Sequence, residues 1–393
     1  MNYKIEKLDY FGRGIARENG KAIFIENALP NEIVNVNLKE GKYLEGTINH
    51  IIEKSPERIT PKCPYYGICG GCQTSHMTYN EELKFKIEKV KELFQRNANI
   101  DIDPIINETK RFNYRNKVTL KVKEKLGFYK QKTNDIVLIE ECILCSNAIN
   151  KTIKELNKLS LSDVKEVIIR SNYKEEVLLA IKGNIDEEKL KELKDVTTII
   201  YNERIIKGNG YLIDKIGDFL YKVSPESFFQ VNREGAKIIY DKVLEYSNLK
   251  PNDSLLDLYS GTGTIGIYLS RNCKNVTGIE INKSAVQDAI YNKSLNNASN
   301  TEFICNDASK EIKNYKNIDA VVVDPPRSGL SKTGISDLID LSPKRIIYVS
   351  CDPATLARDI KLLSINYNLK NIELINMFPN TYHCESITIL ERI

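Results

Sequence analysis

The feature that most constrains the fold is a short apolar strand that runs directly into a glycine turn and a helix, at residues 254–266. Gly261 and Gly263 would let the backbone approach a ligand closely where the helix begins. The alternation of strand, turn and helix then repeats from about residue 223 onward. This pattern predicts a doubly wound, Rossmann-like α/β domain, which binds its ligands at the carboxyl ends of its strands.

Acidic residues follow the strands of this domain where a nucleoside would be held. Glu280 lies at the end of the second strand and suits a ribose diol, and Asp307 follows the third strand, where an adenine edge could be read. A fourth strand ends in Asp324-Pro325-Pro326-Arg327, which places a polar group beside a transferred methyl group. The turn has the spacing Asp-x-x-x-Gly-x-Gly, so S-adenosylmethionine is favoured over NAD, with a generic nucleotide fold as the remaining alternative.

A cysteine follows the next strand of the same sheet. Cys351 stands between the strand and Pro353, which fits the first turn of a helix, so the helix dipole would favour its thiolate. A buried core cysteine is the plainer interpretation, but the position at the ligand-binding edge of the sheet favours chemistry. Glu385 lies near the last strand and, beside a nucleophilic cysteine, becomes a candidate base.

Such a pair suits methylation of a pyrimidine at carbon 5, which is too weak a nucleophile to react directly. Attack by a thiolate at carbon 6 makes carbon 5 nucleophilic, and a base must later remove the carbon-5 proton so that the thiolate can leave.

The motifs of the C-terminal half resemble those of the RNA (uracil-5-)-methyltransferase family. They are SPESFFQVN at 224–232, DPPR at 324–327, VSCDP at 349–353 and HCE at 383–385. The resemblance implies that Cys351 is the nucleophile and Glu385 the general base. It also implies that four residues line the S-adenosylmethionine site, namely Gln230, Tyr259, Glu280 and Asp324. Ser260 departs from the cysteine that many members have. No cysteine follows Asp324 closely, so uracil is favoured over cytosine.

A second group of cysteines has the spacing of a metal site. Cys63, Cys69 and Cys72 are separated by glycines that let three thiolates converge, and Cys142 or Cys145 could supply a fourth. Spacing alone leaves zinc and a [4Fe–4S] cluster open. The resemblance implies an iron–sulfur cluster with Cys142 as the fourth ligand and Cys145 as the fallback, in a structural role rather than in electron transfer.

The N-terminal segment, residues 1–58, reads as short strands separated by turns, which predicts a compact, OB-like β-barrel. The sequences DYFGRGIA at 9–16 and ALPNE at 28–32 resemble a TRAM domain, a small RNA-binding barrel. We therefore predict three units: a barrel over 1–58, a central α+β domain over 59–222 that carries the cysteines, and a methyltransferase domain over 223–393.

A basic strip with interleaved aromatic residues runs through the central unit. Such a strip suits phosphate contact and base stacking, although a solvated strand face is the alternative. Its members are Lys110, Arg111, Phe112, Tyr114, Arg115, Lys117, Lys121, Lys123 and Lys125.

Composition excludes several classes of protein. The nine unevenly spaced cysteines argue against a secreted disulfide scaffold, and no apolar run is long enough to span a membrane. The chain has 57 basic and 53 acidic residues, a net charge of +4 that by itself indicates no partner. We expect a cytoplasmic protein with RNA as its partner, no membrane contact and no obligate protein partner.

The combination of barrel and cluster resembles the ribosomal RNA enzymes of the family, which implies 23S ribosomal RNA as the substrate. Two alternatives remain at this point. One is the same chemistry on transfer RNA, and the other is an iron–sulfur RNA-binding protein without catalysis.

Overall fold

The computed structural model describes residues 1–393 and contains three large β-sheets and a two-stranded hairpin. The first sheet has the strand order β1-β5-β6-β4-β3-β2 and surrounds a small apolar core that includes Ile23, Ile25 and Val34. Alternate residues of each strand point inward, as the predicted barrel requires. Its strands are β1 (Asn2–Lys4), β2 (Lys7–Leu8), β3 (Gly14–Glu18), β4 (Lys21–Ile25), β5 (Ile33–Lys39) and β6 (Leu44–Glu53).

The cysteine-rich segment is followed by α1 (Tyr79–Ala98) and β7 (Ile105–Asn107). Helix α1 is capped at its start by Thr78, whose hydroxyl accepts the N–H of Glu81, and at its end by Asn99 in the left-handed conformation. Its apolar face, including Val90 and Phe94, is buried.

The second sheet is mostly antiparallel and has the order β10-β9-β8-β11-β12-β13-β14, with α2 packed on one face. Its elements are β8 (Lys117–Val122), β9 (Leu126–Tyr129), β10 (Ile136–Leu138), α2 (Asn147–Leu156), β11 (Asp163–Ser171), β12 (Val177–Asn184), α3 (Glu187–Lys191), β13 (Val196–Tyr201) and β14 (Arg204–Lys207). The hairpin β15 (Leu212–Ile216) and β16 (Phe219–Val223) follows.

The third sheet has the order β19-β18-β17-β20-β21-β23-β22-β7, and helices cover both faces. All strands are parallel except β23, and the strand order reverses between β17 and β20, which is where such sheets bind ligands. The predicted doubly wound fold is confirmed. The elements are α4 (Arg233–Ser247), β17 (Ser254–Leu258), α5 (Thr264–Leu269), β18 (Asn275–Glu280), α6 (Lys283–Leu295), β19 (Thr301–Cys305), α7 (Ala308–Glu311), β20 (Ala320–Val323), α8 (Lys332–Leu341), β21 (Arg345–Ser350), α9 (Pro353–Leu363), β22 (Tyr367–Ile375) and β23 (Glu385–Arg392).

Helix α1, strand β7 and the hairpin β15–β16, all predicted to belong to the central unit at 59–222, pack with this third sheet instead. Helix α1 contacts α9, and β7 pairs with β22. The hairpin contributes Phe219 and Tyr221 to the core beneath α4 and α5. The predicted boundary at 222 separates these elements from the sheet that they pack against. Local periodicity shows that a helix has an apolar face, but it does not show which sheet buries that face. The division into three units stays a prediction.

No helix of the protein combines the length and the apolar character that crossing a membrane requires.

Candidate active site and cysteine cavity

The candidate nucleophile, Cys351, lies between β21 and α9 and is partly exposed. Burial raises the pKa of its thiol to about 11; nearby Glu385 and Asp324 act in the same direction, and Arg327 opposes them. The direction of this pKa shift opposes the thiolate preference that the position at the start of a helix predicts. The first N–H groups of α9 are taken by Asp352, whose carboxylate accepts from Ala354 and Thr355 at 3.0 and 2.9 Å.

The candidate base, Glu385, begins β23 across from Cys351, the candidate nucleophile. Ser350 pairs with Ser386 in the antiparallel ladder, so the next step of that register sets Cys351 opposite Glu385. The carboxyl is 5% exposed. Burial raises the pKa of Glu385 well above its ordinary value, with Asp324 adding to the effect and Arg327 opposing it. The two predicted catalytic side chains are thus brought together.

Arg327 is a neighbour that the sequence analysis quoted but did not place in the site. Its guanidinium is hydrogen-bonded to the ring of His383 at 3.3 Å, and its positive charge lowers the pKa of Cys351 and of Glu385. The Asp-Pro-Pro-Arg motif at the end of β20 was the signal that could have found it, since Asp324 had already been placed there.

A cavity at the reversal of strand order lies next to this pair. It is lined by Phe228, Phe229, Gln230, Tyr240, Asp257, Tyr259, Ser260, Gly261, Thr262, Thr264, Ile265 and Asp324. Burial raises the pKa of Asp257 to about 8 and that of Asp324 to about 7. Tyr259 has a φ of +63°, a strained conformation that often marks a ligand site.

The polar groups of the cavity fit a nucleoside ligand. Asp257 Oδ1 and Ser260 Oγ are buried without a hydrogen-bond partner. A Cβ placed on Gly261 would meet open space, and the N–H of Gly261 donates to Glu280 at 3.0 Å, which holds that carboxylate at the cavity edge. These residues fit S-adenosylmethionine, whose charged and hydroxylated groups need such partners.

The predicted ligand-site residues do not all lie in the cavity. Gln230, Tyr259 and Asp324 line it, and Glu280 borders it. Asp307 lies outside the lining and caps α7 by accepting the N–H of Ser309 at 3.0 Å. Burial raises the pKa of Tyr259 and the charge of Asp307 adds to that effect, so Asp307 remains close to the site.

The cysteines of the second group meet at a separate cavity of about 570 Å³. Cys63, Cys69, Cys72 and Cys142 line it, whereas Cys145 is buried behind Cys142. A hydrogen bond from the Cys145 thiol lowers the pKa of Cys142. A Cβ on Gly71 would stand 3.5 Å from Cys69 Sγ, an ordinary contact distance, so Gly71 lies beside this thiol. No three His, Cys, Asp or Glu side chains converge closely enough to hold a single metal ion.

Much of the predicted basic strip is engaged within the protein. Arg115 and Lys117 line the cysteine cavity, and Lys121 pairs with Glu166. Tyr114 is buried and donates to the carbonyl of Pro379 at 3.0 Å. Interleaved aromatic residues looked like a stacking surface, but Tyr114 faces inward because its hydroxyl satisfies a buried carbonyl.

The N-terminal sheet reaches the active site directly. The Tyr10 hydroxyl donates to Asp352 at 3.0 Å, and the ring of Phe11 meets that of Tyr382 edge-on at 5.4 Å between centroids. The barrel therefore contacts the residue that follows Cys351, the candidate nucleophile.

Comparison with known proteins agrees with this geometry. The sequence profile of the tRNA (uracil-5-)-methyltransferase family matches residues 78–393, and the TRAM domain profile matches residues 2–48. The chain belongs to this methyltransferase family. It is an S-adenosylmethionine-dependent enzyme that methylates uracil carbon 5 in RNA.

Relatives of the family are similar over nearly their whole length. An RNA methyltransferase of Staphylococcus aureus (strain MSSA476) is 33% identical, covering 97% of this chain and 96% of its own. One from Bacillus cereus is also 33% identical, covering 99% and 95%. Among solved structures, the tRNA (uracil-54, C5)-methyltransferase of Pyrococcus abyssi, in complex with S-adenosyl-L-homocysteine, aligns with a TM-score of 0.83 and 27% identity. That alignment covers 99% of this chain and all of the other.

Proposed function

We propose that this enzyme methylates carbon 5 of a uridine in 23S ribosomal RNA through a covalent bond between Cys351 and carbon 6. The observation that carries the proposal is that Cys351 and Glu385 lie opposite each other at the ends of β21 and β23, beside the cavity that Gln230, Tyr259 and Asp324 line. The target base has to be unpaired or flipped, because the face of carbon 6 must be reachable from Cys351.

Each side chain has one role in this proposal. The Cys351 thiolate donates an electron pair to carbon 6, and the double-bond electrons move onto the carbon 4 oxygen as an enolate. Bound S-adenosylmethionine supplies an electrophilic methyl group at carbon 5. Glu385 then takes the carbon-5 proton, the double bond re-forms and the thiolate leaves. Gln230, Tyr259, Glu280, Asp307 and Asp324 would hold the methyl donor.

The choice of ribosomal RNA rests on the family likeness of barrel and cysteines. Transfer RNA is a second candidate, and one observation favours it: the Pyrococcus abyssi enzyme, named for transfer RNA, aligns with 99% of this chain. The test is methyl transfer from tritiated S-adenosylmethionine to protein-free 23S RNA and to bulk transfer RNA. Label in 23S RNA alone supports the proposal, and label in transfer RNA alone replaces it with the second candidate. Cys351→Ala, the control, should transfer nothing to either.

We also propose that Cys63, Cys69, Cys72 and Cys142 hold a [4Fe–4S] cluster. Four thiols along one cavity of about 570 Å³ suit a group larger than one ion. When bound, the cluster would tie the 63–72 segment to the loop before α2. Cytoplasmic location, where thiols stay reduced, remains a prediction.

A matched pair of cysteine variants tests the ligand set. Cys142→Ala should lose iron and the visible absorbance of a cluster in protein purified without oxygen, whereas Cys145→Ala should keep both. Equal loss in the two variants, or zinc in place of iron in the parent protein, would contradict the proposal.

A further inference from the structure

The loop that carries the candidate base is irregular, yet it is mostly buried. This base loop, residues 376–384, joins β22 to β23 and delivers Glu385. Buried backbone groups without regular secondary structure need partners from elsewhere in the chain. Here many of those partners come from segments outside the third sheet, although the N–H of Asn376 donates to the carbonyl of Asn107 on β7 at 2.9 Å.

Helix α1 supplies the first set of contacts through a fully buried ion pair. Glu82 and Lys86 are both 0% exposed and lie 2.9 Å apart. Lys86 Nζ donates to Asn376 Oδ1 at 2.6 Å and to the carbonyl of Phe378 at 3.2 Å. The carboxylate of Glu82 accepts the N–H of Asn380 at 3.0 Å on both oxygens.

The segment after the third cysteine supplies the second set. The N–H groups of Gln73 and Thr74 donate to the carbonyl of Asn380 at 3.0 and 3.2 Å. The Ser75 hydroxyl donates to Asn380 Oδ1 at 3.2 Å. Asn380 has a φ of +69°, so the chain turns at the residue where these contacts meet.

The basic strip supplies the third set of contacts to the base loop. Arg111 Nε donates to Asn380 Oδ1 at 3.3 Å, and Asn380 Nδ2 donates to the carbonyl of Arg111 at 2.8 Å. Together with the Tyr114 bond to Pro379, these contacts hold the loop from a third side.

We infer that Glu82, Lys86 and Asn380 are positioning residues that hold the base loop so that Glu385 can reach the carbon-5 proton. The inference rests on the proposed covalent chemistry. A buried ion pair stabilises a fold weakly, because burying its charges is costly. The hydrogen bonds that Glu82 and Lys86 make outside their own helix include several to the base loop. A displacement of about 1 Å in a catalytic group can cost on the order of a hundredfold in rate.

The step affected is the last one. The carbon 5–hydrogen bond breaks, its proton goes to the Glu385 carboxylate, its electron pair re-forms the double bond, and sulfur leaves carbon 6 as a thiolate. If Glu385 is displaced, attack and methyl transfer still occur but elimination is slow. Methylated RNA then stays attached to Cys351 even when the RNA contains ordinary uridine.

The experiment is a single turnover on ordinary RNA with tritiated S-adenosylmethionine, resolved on a denaturing gel. Asn380→Gly keeps the left-handed turn but removes the side-chain bonds to Ser75 and Arg111. Glu82→Gln removes the negative charge that faces Lys86. Because the variant leaves the Lys86 cation buried without its partner, its adduct is measured only after the variant has been shown to fold. Glu385→Gln is the reference for a missing base.

The matched control is Glu373→Gln, which alters another buried carboxylate on β22. Glu373 bonds Asn107 and Tyr246 and pairs with Lys242, none of which belongs to the base loop. We expect labelled adduct to decay about tenfold more slowly in Asn380→Gly, with its formation within about threefold of the parent, and no adduct to accumulate in the control.

Two results would overturn the inference, and they are distinguishable. If Glu385→Gln accumulates adduct but folded Asn380→Gly does not, the positioning role is wrong and the covalent mechanism stands. If Glu385→Gln accumulates none, the assignment of the base fails and the inference fails with it.

Discussion

In the proposed mechanism the thiol of Cys351 has to ionise before it can attack, and its surroundings oppose ionisation. Burial raises its pKa to about 11. Below that value, the thiolate fraction should increase about tenfold each time the pH rises by one unit. We expect the rate of covalent adduct formation with 5-fluorouridine RNA to rise steadily from pH 7 to pH 9. A rate that is flat above pH 7 would show that the thiol ionises in the ordinary range or below it.

Arg327 is the positive charge that favours ionisation of Cys351. Because its guanidinium lowers the pKa of that thiol, Arg327→Met should slow adduct formation at pH 7.5 by about tenfold and shift the pH profile upward. Stopped reactions on denaturing gels give both rates. Lys332→Met, an exposed residue at the start of α8, is the control and should change neither. An unchanged profile in Arg327→Met would remove that residue from the site.

Residues at strand ends were predictable because a parallel sheet collects them at one edge. Cys351, Glu280 and Asp324 were proposed on that ground, whereas Tyr259 came only from the family resemblance. Asp307 follows the same rule but caps α7 instead of lining the cavity. Arg327 reaches the site from the turn beyond the prolines, where its side-chain direction cannot be read from spacing.

Helix α1 shows what can be predicted about an element and what cannot. Leu83, Ile87, Val90 and Phe94 recur at helical spacing in the sequence, which predicts a helix with one buried face, and that face is mostly buried. The stripe packs against α9. This partner could not be predicted, because several surfaces of a molecule with three sheets could bury the same stripe. Glu82 and Lys86 lie four residues apart, a spacing typical of exposed ion pairs on a helix, yet both are buried.

The packing of α1 on the third sheet gives a stability prediction. Phe94 is fully buried in the core that also contains Leu356 and Ile360 of α9. Phe94→Ala should destabilise the methyltransferase core by about 3–5 kcal/mol, whereas half-exposed Leu362→Ala on α9 should change it by about 0.5 kcal/mol or less. Thermal unfolding is the measurement, read at the transition that S-adenosylhomocysteine shifts upward. If Phe94→Ala lowered only a different unfolding transition, the prediction that α1 stabilises the methyltransferase core would be wrong.

The molecule as a whole converges on one small region. The barrel contacts Asp352 through Tyr10, the segment after the cysteines holds Asn380, and the third sheet supplies Cys351 and Glu385. The order of the parts along the chain was predictable from motifs. Their convergence was not, because it depends on contacts between segments as far apart as Tyr10 and Asp352, which no local pattern records.

The central claim is the bond between Cys351 and carbon 6, and RNA containing 5-fluorouridine tests it most directly. Fluorine cannot be removed as a proton, so the adduct should persist on a denaturing gel when S-adenosylmethionine is present. We expect a protein–RNA band that carries the methyl label and disappears in Cys351→Ala. A folded enzyme that methylates ordinary RNA but forms no such band, or forms it equally in Cys351→Ala, would contradict the covalent mechanism.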